Sequence, residues 1–289
     1  YDNYDEFLEH DMDIIDICTP HPFHADQAVK AADTKRDLII EKPLALNFED
    51  VVRMLDAVEK NNLLTSIGFW VRLISVSKAM KSIIDQGLIG DVYYAECDYY
   101  HGIGPWYGQF AWNVKKDMGG SSLLTAGCHS LDIMLFLLNQ EVEEVFSYST
   151  KNPHEVYKPY EYDTTTVTML KFKNGRTLGK VASVTDCMQP YVFNMNILGS
   201  HGSINNDKFY SRKIEGLIDW STLDVMRVDS GDVAHHSFNE QFTHFAECLE
   251  TRTETRNSLK SAFETHRVIF AADKSAETGK PVRVDEFKR

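Results

Sequence analysis

Three short, nearly continuous apolar runs lie in the first seventy residues, at positions 14–18, 38–40 and 63–69. Such runs are typical of strands that are buried on both faces of a parallel sheet. Between the runs, apolar residues recur at helical spacing, and Asn47 stands where a helix N-cap is expected. The pattern therefore predicts a β-α-β-α-β unit whose parallel strands are joined by right-handed crossovers.

The residues that end these three strands come to one edge of the predicted sheet. Thr19-Pro20 follows the first strand, Glu41-Lys42-Pro43 the second, and Gly68-Phe69 closes the third. Parallel strands present their carboxyl ends at the same edge, and open α/β sheets bind ligands there. We therefore expect these three turns to surround a ligand.

Beyond residue 70 the pattern changes to strands that follow one another. Residues 92–100 alternate, which predicts a half-exposed strand with Glu96 and Asp98 on its polar face. Asn174-Gly175 predicts a hairpin turn. Further segments with strand composition lie at 142–146, 164–172, 177–184 and 192–198, and helical patterns lie at 76–84, 121–138, 238–249 and 262–276.

These patterns predict an α/β plus α+β fold in two domains. Residues 1–70 are expected to form part of a parallel sheet, and residues 71–289 a second domain with a mostly antiparallel sheet and flanking helices. In the late helix at 238–249, Phe238, Phe242, Phe245 and Leu249 are predicted to be buried. The terminal helix, 258–278, is expected to pack back on the first domain.

Composition narrows the classes of partner. The net charge is −13 and no basic run stands out, so no nucleic-acid partner is expected. The longest unbroken apolar stretch near a helix, residues 133–138, is far shorter than the ~20 residues that span a bilayer, so no membrane partner is expected. Five scattered cysteines without a C-x-x-C pair indicate reduced thiols in a cytoplasmic protein.

A polar row borders the apolar stripe of the predicted helix at 121–138. Thr125, His129 and Asp132 stand at i, i+4 and i+7, which predicts one wall of a cleft. Among them His129 is the best acid/base candidate, because an unperturbed imidazole exchanges protons near neutral pH. A lone histidine is more often structural, so the hypothesis needs a second feature.

Lys42 supplies that feature. A lysine held at the ligand edge of the sheet can stabilise a developing alkoxide or carry a proton, although a single lysine is usually a solvated surface residue. In the loop at 102–112, Trp106, Tyr107 and Trp112 could cover the apolar face of a sugar or simply anchor the loop. Metal binding is not expected, because no carboxylate or thiol stands at ligand spacing from the histidines at positions 21, 24, 201, 235 and 236.

Several of these segments together resemble one known family. They are Thr19-Pro20-His21-Pro22-Phe23-His24, Glu41-Lys42-Pro43, and Gly119-Gly120 leading to Gly127-Cys128-His129-Ser130-Leu131-Asp132. The combination resembles the glucose–fructose oxidoreductase / inositol dehydrogenase / MocA (Gfo/Idh/MocA) family. Residues 198–204 and 271–282 are also similar to it, so the resemblance covers nearly the whole chain.

The resemblance implies an NAD- or NADP-dependent oxidoreductase that acts on a sugar, a polyol or a related secondary alcohol. It implies that Lys42 and His129 are catalytic. The residues predicted to contact substrate are Thr125, His129 and Trp106. The resemblance also implies that residues 1–70 are part of a truncated Rossmann-type dinucleotide-binding domain and that residues 71–289, with their open sheet, form the substrate-binding and oligomerisation domain. A homodimer or homotetramer formed through the open sheet is expected. The residues implied to contact the dinucleotide are Thr19, Pro20, His24, Glu41 and Lys42.

Two features depart from the family pattern. Many members have Asp four residues before the catalytic histidine, where this chain has Thr125, which holds no negative charge. No G-x-G-x-x-G precedes the first strand, and two βα units, about 60 residues, are missing from the expected pattern before Tyr1. The expectation is a truncated form of a longer enzyme, which by itself binds dinucleotide poorly and leaves a strand edge open.

Three functions remain open at this point. The first is reversible oxidation of a carbinol, with His129 and Lys42 in proton transfer. The second uses the cofactor transiently, so that an oxidised sugar can eliminate a glycosidic bond, and Thr125 in place of Asp is the reason to consider it. The third is a non-catalytic scaffold, for which the missing phosphate loop is the reason.

Overall fold

The N-terminal part of the chain forms a three-stranded parallel sheet in the computed structural model, which describes residues 3–225, 236 and 238–289. The strand order is β1-β2-β3, as the predicted β-α-β-α-β unit requires. Its elements are α1 (Tyr4–Leu8), β1 (Ile14–Ile17), α2 (His24–Asp33), β2 (Asp37–Ile40), α3 (Phe48–Lys60) and β3 (Thr65–Ile67).

The ends of these elements follow from local sequence. The Asn47 side chain accepts a hydrogen bond from the Asp50 backbone N–H at 2.9 Å, so the predicted cap of α3 is confirmed. Such a cap typically contributes about 1 kcal/mol. The third strand is shorter than predicted, because Phe69 turns the chain into a 3₁₀ helix at Trp70–Leu73.

In the described residues, the remaining strands form a nine-stranded sheet in the order β11-β10-β9-β8-β4-β7-β6-β5-β12. Only β4 and β7 pair in parallel there, which confirms the mostly antiparallel prediction. The predicted turn at Asn174-Gly175 joins β6 to β7, and Gly175 takes the positive φ of 69° that favours glycine. The strands are β4 (Val92–Tyr100), β5 (Val142–Thr150), β6 (Thr165–Phe172), β7 (Leu178–Val184), β8 (Val192–Gly199), β9 (Gly202–Asn205), β10 (Lys208–Ser211), β11 (Ser221–Thr222) and β12 (Val282–Arg283).

Helices cover one face of this sheet and join it to the first. The described helices beyond the parallel sheet are α4 (Ser75–Asp85), α5 (Phe110–Asn113), α6 (Lys116–Gly119), a π-helical turn (Leu123–Gly127), α7 (Cys128–Leu138), α8 (Phe238–Thr251) and α9 (Leu259–Thr278). Helix α9 packs against α3 and β3 on one side and against β5 on the other, so it lies between the two sheets. The Phe48 ring of α3 packs on Phe263 of α9 with centroids 5.4 Å apart.

The segment that contains α7 is the most apolar helix of the described residues. By length and composition, Lys116–Leu138 is sufficient to cross a membrane, which the sequence prediction did not recognise because it counted only an unbroken apolar run. Its apolar window is 83% buried inside the protein, packed on β4 and β7. At Gly127 a Cβ would lie 2.3 Å from Ser183 Cβ, so the close packing of this segment on β7 requires glycine.

Two burial predictions are wrong for a physical reason. Asp98 was predicted on an exposed face, but it is 2% exposed, because its carboxylate accepts hydrogen bonds from Lys180 Nζ and the Ala182 N–H, each at 2.9 Å. In α8, Phe242 is 46% exposed, and the polar Gln241 is buried beside Phe245 instead. Hydrogen bonds from the Gln241 side chain to β3 stabilise this orientation of the helix, in which Gln241 is buried.

Candidate active site

A cavity of about 470 Å³ lies at the carboxyl ends of β1 to β3, where the strand order predicts a ligand site. One side consists of the turns after β1 and β2. The other side consists of the 3₁₀ helix after β3, the helix α7 and the start of α8. The residues around it are Asp16, Cys18, Thr19, Pro20, His21, His24, Ile39, Ile40, Glu41, Lys42, Gly68, Trp70, Tyr99, Tyr107, Gln109, Trp112, His129, His236, Phe238, Gln241 and Phe242.

The Glu41-Lys42 turn places two charged groups at the cavity. Lys42 Nζ donates a hydrogen bond to the Thr125 carbonyl oxygen at 2.9 Å, which ties the turn after β2 to the π-helical turn. The Glu41 carboxylate lies against Gly68, where a Cβ would be 3.0 Å from its oxygens. Burial raises the pKa of Glu41, and the Lys42 ammonium opposes that shift.

Two buried histidines hold this turn in place. The ring nitrogens of His24 lie 2.8 Å from the Pro43 carbonyl oxygen and 2.6 Å from that of Thr19, so His24 joins the turns after β1 and β2. On α9, His266 Nε2 accepts from the Leu44 N–H at 2.9 Å. The tautomer is thereby fixed, because Nδ1 must then donate to the Ala262 carbonyl oxygen at 2.7 Å.

His129 begins the second side of the cavity. It is 5% exposed, and the rings of Phe69, Trp70 and Tyr99 lie around it with centroid distances of 5.9, 6.3 and 6.4 Å. Burial, followed by the Lys42 ammonium, holds the pKa of His129 well below its ordinary value. The ring is therefore neutral at pH 7 and can accept a hydrogen bond from a hydroxyl group. Lys42 and His129, which are distant in sequence, meet at one cavity.

The rest of the predicted polar row does not reach the cavity, which corrects the prediction of a single cleft wall. The Thr125 hydroxyl accepts from Asn113 Nδ2 at 2.8 Å and does not border the cavity. Asp132 forms a two-point ion pair with Arg72 and accepts from Thr265 at 2.8 Å. The π-helical turn changes the helical phase, so regular α-helical spacing does not predict which side each residue faces.

Only two of the three aromatic residues predicted in the loop at 102–112 border the cavity. Tyr107 and Trp112 border the cavity, and the Trp112 ring contacts His21 edge-to-face at 4.9 Å. Trp106 is 65% exposed, does not border the cavity, and donates its indole N–H to the Gly102 carbonyl oxygen. The structure therefore does not bring Trp106 together with the other predicted substrate residues.

Sequence reasoning missed several residues of the cavity. Trp70 follows directly after the turn at the end of β3, so the rule that identified the other turns could have found it. Gln241 is a polar residue within an apolar helical stripe, which is a signal for a buried polar contact. Tyr99 gave no such signal, because it reads as an ordinary inward-facing residue of its strand.

The histidines of the sequence do not gather into a metal site in the part of the chain that the structure describes. His21, His24 and His236 border the cavity, whereas His201 lies away from it and bonds to Ser200 Oγ at 2.8 Å. His235 lies outside the described residues.

Two family models match the chain. Residues 1–69 match the oxidoreductase family with an NAD-binding Rossmann fold, GFO_IDH_MocA, and residues 77–205 match the GFO/IDH/MocA C-terminal domain.

Individual relatives are similar at low identity. The NAD-dependent scyllo-inositol 2-dehydrogenase of Bacillus subtilis is 25% identical over 288 residues, which cover 98% of this chain and 81% of that enzyme. The trans-1,2-dihydrobenzene-1,2-diol dehydrogenase of Xenopus laevis is 29% identical over 145 residues, half of this chain and 43% of that enzyme. The solved structure of a levoglucosan dehydrogenase in complex with NADH and levoglucosan superposes with a TM-score of 0.84 at 20% identity, covering 98% of this chain and 83% of that one.

Proposed function

This chain belongs to the GFO/IDH/MocA oxidoreductase family, and from that premise we propose that it oxidises a secondary alcohol of a sugar or polyol with NAD or NADP. The names of its relatives support this substrate class, since they include dehydrogenases of inositol, a cyclic diol and levoglucosan. The single observation that carries the proposal is that Lys42 and His129 border the same cavity at the carboxyl edge of the parallel sheet.

The residues of the cavity fit a nicotinamide ring. The cavity has aromatic walls, and His129 Nδ1 is buried without a hydrogen-bond partner among the described residues, as expected beside a ligand that excludes water. Thr19, Pro20, Glu41 and Lys42 would hold this end of the dinucleotide. His24 has no exposed surface, so we assign it to positioning the two turns rather than to direct contact. When bound there, the nicotinamide would supply the acceptor for the hydride of the carbinol carbon.

The side chains of this protein would handle the proton. The neutral His129 imidazole accepts the proton of the substrate hydroxyl as the carbinol C–H bond breaks. The Lys42 ammonium, positioned by its hydrogen bond to Thr125, stabilises the negative charge that develops on the oxygen. The products are the carbonyl compound, the reduced nicotinamide and the protonated imidazole, which returns its proton to solvent.

The direct test is hydride transfer measured as NADH or NADPH absorbance with a panel of sugars and polyols. His129→Gln is expected to reduce kcat/KM by about 10²–10⁴-fold, the usual contribution of a general base. Lys42→Met is expected to reduce it by about 10²–10³-fold, as loss of one charge-stabilising donor does.

A matched control is His154→Gln, because His154 is exposed and lies outside the cavity. Its kcat/KM should equal that of the wild type. Wild-type protein that oxidises no member of the panel, or a His129→Gln variant with unchanged kcat/KM, would contradict the proposal.

The second candidate remains transient oxidation followed by elimination of a glycosidic bond. The observation that favours it is that Thr125 stands where many family members have a carboxylate, and its hydroxyl accepts a hydrogen bond from Asn113. This reaction regenerates the oxidised cofactor in each turnover, so stoichiometric release of NADH would exclude it. The scaffold reading makes a different prediction, namely no NAD binding in a calorimetric titration.

We also propose that the boundary between the two domains lies between residues 70 and 71 and that the protein is cytoplasmic.

We further propose that the protein self-associates through the open face of the nine-stranded sheet. Tyr148, Val167, Met169 and Leu178 are 38–68% exposed on adjacent strands β5, β6 and β7. Exposed apolar side chains on neighbouring strands favour an interaction site, and a second copy of the chain would cover it. Light scattering should give a dimer or tetramer, and Met169→Asp should lower the mass; a monomeric wild type would contradict the proposal.

A further inference from the structure

The carbonyl oxygen that binds Lys42 belongs to a segment that other side chains hold in place. Lys42 Nζ donates to the Thr125 carbonyl oxygen at 2.9 Å, and Thr125 lies in the π-helical turn Leu123–Gly127. Such turns depart from regular α-helical hydrogen bonding and are frequent at functional sites. The position of the Lys42 ammonium therefore depends on what fixes this turn.

Ser121, two residues before the turn, fixes its start. Ser121 Oγ accepts from the Leu124 backbone N–H at 3.0 Å, as the side chain of a helix N-cap does. The Ser121 carbonyl oxygen accepts from the Thr125 N–H, also at 3.0 Å. Ser121 thus holds both Thr125 and the residue before it.

Asp273 of α9 in turn binds the hydroxyl of Ser121. Ser121 Oγ donates to Asp273 Oδ2 at 2.9 Å across 152 residues of sequence. The hydroxyl has one proton, so this bond uses its donor and leaves a lone pair for the Leu124 N–H. A chain of three hydrogen bonds therefore connects Asp273 with Lys42 through Ser121 and Thr125.

We propose that Ser121 and Asp273 are positioning residues for Lys42. Neither borders the cavity, so both act through the Thr125 carbonyl oxygen and not on a ligand. The inference rests on the proposed function, in which the Lys42 ammonium stabilises the charge on the reacting oxygen. It adds that α9, a helix outside the cavity, determines where that ammonium lies.

The ionisation of Asp273 makes this positioning depend on pH. Burial raises the pKa of Asp273 to about 7, although the Ser121 hydroxyl opposes the shift. Of the charged groups nearby, the Glu277 carboxylate on α9 raises the pKa further, and the Lys116 ammonium on α6 lowers it. Because an ionised carboxylate is the stronger acceptor, Asp273 should hold Ser121 more firmly above pH 7 than below it.

The direct test measures how firmly Lys42 is held, without cofactor or substrate. Reductive methylation with formaldehyde and dimethylamine–borane, followed by peptide mass spectrometry, gives the rate at Lys42 relative to the exposed Lys158 in the same sample. Ser121→Ala should raise this relative rate about fivefold, the usual contribution of one hydrogen bond. Ser121→Thr keeps the hydroxyl and should restore the wild-type rate.

Asp273→Asn tests the dependence on pH, because an amide still accepts from Ser121 but does not titrate. The ratio to Lys158 cancels the pH dependence that the two amines share. In the wild type, the relative rate at Lys42 should rise about threefold as the pH decreases from 8 to 6, as weakening of a charge-assisted hydrogen bond predicts. In Asp273→Asn it should stay constant, and a variant that follows the wild-type profile would overturn the role of Asp273.

Kinetics with a substrate from the sugar and polyol panel give a second readout. Ser121→Ala should lower kcat about fivefold and change KM less than about twofold, because Lys42 acts on charge that develops only during the reaction. Ser121→Thr should restore kcat. A change in KM alone would contradict an action through Lys42.

Matched controls break a serine–aspartate hydrogen bond elsewhere. Ser149 Oγ donates to Asp163 Oδ2 at 2.6 Å, and neither residue borders the cavity. Ser149→Ala and Asp163→Asn should retain the wild-type relative rate at Lys42 and the wild-type kcat. If thermal unfolding shows that Ser121→Ala does not fold, Asp273→Asn carries the test alone.

The outcomes separate this inference from the proposed function. Relative methylation rates at Lys42 that are equal in the wild type, Ser121→Ala and Asp273→Asn at every pH overturn the positioning role, whatever the activity. Equal changes in Ser121→Ala and Ser149→Ala also overturn it, because the effect would then be general. The expected changes at Lys42 in a protein that oxidises no sugar or polyol support the positioning role and overturn the proposed function.

Discussion

The two sides of the cavity differ in how far hydrogen bonds connect their side chains. In the lysine wall, formed by the turns after β1 and β2, Lys42 donates to Thr125 and His24 lies within hydrogen-bond distance of both turns, whereas His21 Nδ1 has no hydrogen-bond partner among the described residues. The open wall is formed by Trp70, His129 and Gln241, and each of these side chains has one buried polar atom without a hydrogen-bond partner among the described residues. Hydrogen bonds therefore position the lysine wall, whereas the rings of the open wall are held by packing contacts with one another.

A buried ion pair connects two of the elements that carry the open wall. Arg72 lies two residues after Trp70, and Asp132 lies three residues after His129. Their side chains are 4% and 1% exposed and form two hydrogen bonds with each other. Arg72 also donates to the Arg256 carbonyl oxygen and to Ser261 Oγ, which fixes both elements to the start of α9.

The largest expected effect comes from breaking this support. Asp132→Asn leaves the Arg72 guanidinium buried without its counter-charge, which should lower the free energy of unfolding by about 3–5 kcal/mol. Urea unfolding followed by circular dichroism measures the change. Lys158→Met, which removes an exposed ion pair with Glu155, is the control and should have little effect. A small loss in Asp132→Asn would mean that the open wall does not depend on this pair.

A smaller effect on stability, visible only below neutral pH, is expected from His266, which supports the lysine wall through Leu44. Burial lowers the pKa of His266 from 6.5 to about 4. Because the unfolded chain binds a proton at a higher pH than the folded one, stability is full above pH 6.5 and falls as the pH decreases towards 4. The shift corresponds to about 3 kcal/mol.

His266→Gln tests this linkage, since an amide oxygen can still accept the Leu44 N–H but does not titrate. Wild type and variant should have similar unfolding free energies at pH 8. Between pH 6.5 and 4 the variant should lose less stability than the wild type. Parallel pH profiles would indicate that His266 is not held neutral in the folded protein.

The smallest effect concerns Trp106, which belongs to neither wall of the cavity. Trp106→Phe should change KM less than about twofold and the free energy of unfolding by no more than about 0.5 kcal/mol, because its side chain is exposed and does not border the cavity. Trp112→Leu should raise KM, since Trp112 borders the cavity. A large rise in KM for Trp106→Phe would mean that the loop moves onto the substrate.

Much of the lysine wall was predictable from local sequence. Apolar runs ended by Thr19-Pro20 and Glu41-Lys42-Pro43 predict parallel strands whose turns share an edge, and the structure places those turns together. The open wall was less predictable, because its residues come from three separate elements. The sequence pattern placed Thr125, His129 and Asp132 on one face, and only His129 reaches the cavity.

The sequence by itself determined the order of strands and helices along the chain and the sheet edge at which the cavity lies, because hydrophobic period and proline position act over a few residues. Only the tertiary structure decided which side of a helix faces the cavity. That choice depends on packing between distant elements: the π-helical turn before α7 changes its phase, and acceptors on β3 draw Gln241 inward while Phe242 turns to solvent. No local pattern contains those contacts, since their partners are more than a hundred residues away.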